Sequence, residues 1–164
     1  MGSLRRATGP GTWLGLVAAI LLCLAVSGLG AIETDAGPGS WYAGLAKAPW
    51  NPPAWVFAPV WTALYVSLGI ALWLIWKAPS GAGRSRALAL FFLQLGLNLA
   101  WSWLFFGLQM PLLALFDLVA LLAAVVAAQR AMWSVSRAAS LILLPYLCWC
   151  GFALTLNGAV VALN

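Results

Sequence analysis

The sequence predicts an all-α integral membrane bundle of five transmembrane helices, and three observations lead there. The chain of 164 residues is 65% hydrophobic and only 7% charged, too few polar side chains to cover a water-soluble globule. Nearly uncharged stretches recur at about the 20-residue length that a helix needs to cross a hydrocarbon layer about 30 Å thick. Basic residues cluster between alternate stretches, as they do where lysine and arginine gather on the cytoplasmic side of a membrane.

Residues 1–11 read as an N-terminal tail and residues 12–164 as a single five-helix domain. The first span runs from about Thr12 to Ile32. Arg5 and Arg6 before it, and small residues after it, also fit a cleaved signal peptide, but the apolar run exceeds the roughly 7–15 residues usual for one. The second span runs from about Trp55 to Trp76, the third from Ala87 to Phe106, the fourth from Pro111 to Ala131 and the fifth from Ala139 to Leu163. Connections are short except for the first, an outer loop at about 33–54 expected to act as a mobile lid. Nothing long or polar enough remains for a soluble domain.

The net charge of +5 is read as topology rather than as a nucleic-acid surface. Arg5 and Arg6 precede the first span, Lys77, Arg84 and Arg86 lie between the second and third, and Arg130 and Arg137 lie between the fourth and fifth. The opposite loops carry only Lys47, with the acidic Glu33 and Asp35. The N-terminus is therefore expected inside, and the C-terminus and long loop outside. Nothing resembles a mitochondrial presequence, so a bacterial envelope membrane is expected rather than the mitochondrial outer membrane. Cys23, Cys148 and Cys150 suggest neither a disulfide framework nor a zinc site. The absence of histidine removes histidine triads, histidine-ligated metals and histidine-ligated haem.

The loop and second span read "WYAGLAKAPWNPPAWVFAPVWTALY". Asn51 is placed to cap a helix whose first turn holds Pro52 and Pro53, where missing N–H groups cost nothing. Pro59 is expected to bend that helix two turns on. Trp41, Trp55 and Trp73 suit an interfacial aromatic belt, whereas Trp61 and Tyr65, four apart, share a face that points inward.

In the third span, "QLGLNLAWSWLFFG", Gln94, Asn98, Trp101 and Phe105 fall on one helical stripe. Amides in lipid need partners, so this stripe faces the bundle interior. Gly96, Ala100 and Gly107 lie opposite, where a homodimer would pack at Gly96 and Ala100. Asp117 in the fourth span would cost about 2.5–3.5 kcal/mol unpaired at the bilayer centre; Lys47, Asn98 and free helix-end N–H groups are candidate partners, and a ligand role stays open. The alanines at 120, 124, 127, 128 and 131 suggest a packing seam. In "LPYLCWCGFALTLN", Pro145 kinks the fifth span, and Tyr146, Trp149, Ala153 and Asn157 share a face. A cavity bounded by Trp61, Asn98, Trp101, Trp149 and the outer loop would be apolar with a few polar handles, the composition of a small-molecule site.

These motifs, with the "LFDLVALL" around Asp117, resemble in order those of the translocator protein family, also called tryptophan-rich sensory proteins or peripheral-type benzodiazepine receptors. The match covers most of residues 41–157. The resemblance implies a five-helix bundle, usually dimeric, with a pocket closed by the first loop. It implies binding of porphyrins and haem, of synthetic benzodiazepine-site and isoquinoline ligands and, in animals, of cholesterol. Carried over by motif, the pocket positions are Tyr42, Trp50, Pro52, Trp61 and Tyr65, then Asn98 and Trp101, then Trp149 and Ala153.

Two departures stand out. The family often has Lys-Pro where this chain has Lys47-Ala48. The cholesterol consensus of animal members needs a tyrosine and a basic residue soon after the "LN" of the last span, where this chain continues "GAVVALN".

The resulting expectation is a membrane receptor or carrier that binds tetrapyrroles from the outer side, with lipids or sterols as further partners and no required cofactor or metal. Trp61, Trp101 and Trp149 would stack on the plate, and Lys47 would meet its propionates. The resemblance also admits an enzyme that degrades porphyrin with light and oxygen, in which Trp61 and Trp149 would be redox partners. No acid, base or nucleophile constellation is recognisable. A transporter is a third possibility, with neither an internal repeat nor a polar pathway to support it.

Overall fold

The computed structural model describes residues 10–164, with side chains from Thr12 onward. Positions 1–9 of the expected tail, with Arg5 and Arg6, lie outside the described residues, while Pro10 and Gly11 already belong to the first helix. Helix α1 spans Pro10–Ala31, with proline at the first position, where its missing N–H is harmless. A single turn, α2, spans Trp41–Gly44, and its Ser40 cap accepts a hydrogen bond from the Ala43 N–H at 3.2 Å. Helix α3 spans Phe57–Trp76, α4 Ala82–Ser102, α5 Pro111–Trp133 and α6 Arg137–Leu163. Among the described residues five helices are long and apolar enough to cross a membrane, so the all-α five-span bundle holds.

Several boundaries differ from the sequence reading. Helix α4 begins at Ala82 rather than Ala87, so Arg84 and Arg86 sit on the helix, and α6 begins at Arg137 rather than Ala139. Apolar composition marks only the hydrocarbon-crossing part of a helix, whereas arginine can continue it into the headgroup layer by extending its long side chain to water. The start of the second span also needs correcting. Asn51, Pro52 and Pro53 are not helical; a 3₁₀ turn at Ala54–Val56 leads into α3, with Pro53 extended at ψ 144°. Asn51 and Pro52 each precede a proline, and Pro Cδ disfavours helical geometry in the residue before it. Pro59 therefore falls in the first turn of α3 and breaks no established ladder. Pro145 lies inside a continuous α6.

Around the bundle, α1 packs on α3, α3 on α6, α6 on α5, α5 on α4 and α4 back on α1, which closes a ring. Leu68, Ile75, Phe91, Leu121, Val125 and Leu143 fill its centre. Tight contacts need small residues: a Cβ at Gly69 would stand 2.5 Å from Ile20 Cα, so glycine lets α1 and α3 touch backbone to backbone. In α5, Ala124 and Ala128 are buried in the seam, while Ala120 is exposed. Positions four apart drift about 40° per step around a helix of 3.6 residues per turn, which carries Ala120 off the seam.

Trp55 is 74% exposed, as the belt reading expects, but Trp41 and Trp73 pack against protein. Trp41 meets Phe105 edge-on at 5.6 Å between centroids. Trp73 donates to the Thr12 carbonyl at 3.1 Å and carries Lys77 Nζ 3.8 Å above its ring. A Trp N–H in lipid needs an acceptor, and a neighbouring helix end supplies one.

Candidate functional site

The ring of helices opens at its α1 C-terminal end into a cavity of about 390 Å³, within the range of ligand pockets. Three helices build most of its wall. The first turns of α3 contribute Phe57, Trp61 and Tyr65, α4 contributes Asn98 and Trp101, and α6 contributes Trp149, Ala153 and Asn157. Beyond Ser102 the backbone widens into a π turn over Trp103–Gly107. One extra residue per turn is an uncommon geometry associated with functional sites, and here it accompanies both Phe105 and Phe106 on the cavity wall.

The aromatic rings brace one another. Trp61 and Trp149 stand edge to face, 6.4 Å between centroids and 89° between planes. Trp101 stacks on Phe105 at 5.4 Å and 23°. Phe57 and Phe152 flank Trp149 at 6.0 and 5.5 Å. Such contacts hold each ring in one orientation, so the wall is preorganised.

Polar groups fix the wall from behind. The Tyr65 hydroxyl donates to Asn98 Oδ1, tying α3 to α4. Trp101 Nε1 donates to Asn157 Oδ1 at 3.1 Å, and Asn157 Nδ2 donates to the Pro111 carbonyl at 2.9 Å. One buried amide thus joins α6 to α4 and to the start of α5. Asn98 Nδ2, Trp149 Nε1 and the Tyr146 hydroxyl are buried with no hydrogen-bond partner, as are both polar atoms of Gln94. Buried polar atoms usually find partners, so Asn98 Nδ2 and Trp149 Nε1 are donors still to be satisfied, covered by the wall as it stands.

The long loop closes the open end of the cavity. Tyr42 is buried at its underside and donates to Asn51 Oδ1 at 3.2 Å. Burial pushes its phenol above the ordinary tyrosine value, and the hydrogen bond to Asn51 opposes that shift. The loop is pinned to α6 twice: Asn164 accepts from the Ala46 N–H at 3.0 Å and donates to the Ala46 carbonyl at 3.1 Å, while Trp50 Nε1 reaches Thr155 Oγ1 at 3.4 Å.

Of the nine positions expected from the sequence, Tyr42, Trp61, Tyr65, Asn98, Trp101, Trp149 and Ala153 line the cavity. Trp50 and Pro52 stand off it: Trp50 is 57% exposed and Pro52 lies on the extended approach to α3. Lys47 is turned away as well, donating to the Ala43 and Leu45 carbonyls at 3.3 and 3.0 Å and lying over the Tyr42 ring. Asp117 Oδ2 meets none of the anticipated partners, the unpartnered Asn98 Nδ2 included. The sequence reading left Phe57, Phe105, Asn157 and the α1 positions Ser27 and Gly30 out of the site. Phe105 and Asn157 fall on the inward faces that the sequence predicts, whereas on the otherwise apolar α1 only Ser27, beyond the first turn, marks a side. No group of three or more potential metal ligands forms among the described residues.

A family model described as TspO/MBR family matches residues 19–163. The tryptophan-rich protein TspO of Archaeoglobus fulgidus is 47% identical over 152 residues, 92% of this chain and 97% of that protein. The translocator protein of Homo sapiens is 43% identical over 122 residues, 73% of this chain and 72% of that one. The tryptophan-rich sensory protein of Cereibacter sphaeroides is 34% identical over 127 residues, 77% and 78% of the two chains.

Proposed function

This chain belongs to the TspO/MBR family of membrane proteins, and on that premise we propose that it is a receptor or carrier for porphyrins, haem and related flat hydrophobic ligands. The observation that supports this most is the braced aromatic wall of Trp61, Trp101 and Trp149 with unpartnered donors at Trp149 Nε1 and Asn98 Nδ2. A tetrapyrrole is a broad aromatic plate with propionates at one edge. Ring faces and edges hold the plate, each good pair adding about 0.5–1.5 kcal/mol beyond area burial, and the free donors receive its polar atoms. At about 390 Å³ the cavity is at the small end for such a plate, so the loop moves outward to admit it. Lys47 already lies on that loop, and its ammonium, held only by two carbonyls and a ring, swings to the propionates when the loop moves.

The outer-side orientation of the loop belongs to the same reading, as does a homodimer through Gly96 and Ala100. Gly96 is exposed on α4, with nothing within 4 Å of an added Cβ, so a second helix can approach it closely. Titration with protoporphyrin, followed by quenching of tryptophan fluorescence, tests the function; saturable quenching supports it, and no saturation contradicts it. A second reading draws on the contact of Trp61 with Trp149: a bound porphyrin excited in light and oxygen would oxidise these rings or be degraded beside them. A product spectrum that forms in light and not in the dark, and that is lost when both tryptophans are replaced, separates this enzyme from plain binding.

A further inference from the structure

The opposite end of the bundle carries a second hollow, away from the aromatic cavity, between α4 and α5. It has a volume of about 360 Å³ and is lined by Gly83, Arg86, Ala127, Arg130, Ala131 and Ser134. Lys77, Arg84, Arg86, Arg130 and Arg137 all gather at this end. The only acidic side chains are Glu33, Asp35 and Asp117, and none can neutralise them. Glu33 and Asp35 follow α1 at the other end, and Arg130 lies 13 residues beyond Asp117 on α5, about 20 Å at about 1.5 Å per residue.

The five cations are not equivalent. Lys77 lies over Trp73 at 3.8 Å, Arg84 over Trp76 at 5.1 Å and Arg137 over Trp133 at 5.5 Å, and Arg84 also donates to the Ala78 carbonyl at 3.3 Å. Among the described residues Arg86 and Arg130 stack on no ring and donate no side-chain hydrogen bond, and they are the two that share the hollow. Gly83, Ala127 and Ala131 carry no bulk that would fill it. We propose that Arg86 and Arg130 hold the phosphodiester of an anionic phospholipid in this hollow. Guanidinium forks match phosphate oxygens in pairs, and basic pockets between membrane helices suit lipid head groups. Exposed Trp76 and Trp133 mark the headgroup level beside it, where acyl chains can follow the apolar flank of α5.

The test uses the whole chain in detergent micelles doped with phosphatidylglycerol or phosphatidylcholine, with retained lipid counted by native mass spectrometry. At about 1 kcal/mol per basic residue, each of Arg86→Gln and Arg130→Gln should lower phosphatidylglycerol retention about fivefold, and the pair about 25-fold. Arg84→Gln with Arg137→Gln, which removes the same charge, should change it less than about twofold, and Arg86→Lys with Arg130→Lys should fall between. Circular dichroism confirms that each variant keeps its helices. Equal loss in the Arg84 and Arg137 pair, retention in the Arg86 and Arg130 pair, or equal binding of phosphatidylcholine would overturn the site. Displacement of phosphatidylglycerol by millimolar inorganic phosphate, dependent on the same two arginines, would overturn its assignment to lipid.

Discussion

Replacing Asn157 by leucine should loosen the bundle and the cavity together. The side chain is 2% exposed and makes two bonds, one from Trp101 Nε1 at 3.1 Å and one to the Pro111 carbonyl at 2.9 Å. Hydrogen bonds between membrane helices contribute about 0.6 kcal/mol on average and up to about 1.7, so two bonds lost together cost about 1–3 kcal/mol. At about 2–4 °C per kcal/mol for a chain of this size, unfolding in detergent followed by tryptophan fluorescence should shift down by about 2–12 °C. The indole of Trp101 then loses its anchor while its stack on Phe105 remains, so porphyrin affinity should fall as well. Asn157→Asp separates the two bonds, because it keeps an acceptor for Trp101 and loses the donor to Pro111; its affinity should stay nearer to wild type than its stability does. A leucine variant equal to wild type in both unfolding temperature and affinity would refute the bridging role.

Gly69→Val should be more disruptive than its size suggests, because the new Cβ meets Ile20 backbone at 2.5 Å; overpacking of this kind costs about 1–3 kcal/mol, read as lower thermal stability. Asn164→Ala removes both bonds between the C-terminus and Ala46, and at about 0.5–1.5 kcal/mol each it should speed ligand exchange about five- to 150-fold in stopped-flow measurements, with the helices intact. Cysteines introduced at Gly39 and Ala82, in a background lacking the native thiols, should be labelled by an impermeant reagent from opposite sides of the membrane; labelling of both from one side would reject this topology.

Most of the fold was legible because membrane helices advertise themselves through length and apolarity, and the inward stripe of Gln94, Asn98 and Trp101 was legible because amides in lipid have only one place to go. The helix ends were not. Arg84, Arg86 and Arg137 read as loop residues although helices carry them, since charge marks the headgroup layer and not the end of hydrogen bonding. Asn51 looked like a cap, but two consecutive residues before prolines force an extended chain, and its side chain is used on Tyr42 instead. Trp50, Pro52 and Lys47 sit on the loop, whose path depends on distant pins at Thr155 and Asn164 that no local pattern contains. The contribution of α1 was hard to see because the helix is apolar on nearly every side, and Ser27, its one hydroxyl beyond the first turn, is a faint mark of the face that turns inward.

The proposed ligand of the aromatic cavity beneath the loop is a tetrapyrrole. A structure of the chain with protoporphyrin tests it most directly. The macrocycle should stand against Trp61, Trp101 and Trp149 with its propionates toward the loop and Lys47. A porphyrin bound only to the outer surface of the helices, with lipid filling the cavity instead, would rule out the aromatic cavity as its site.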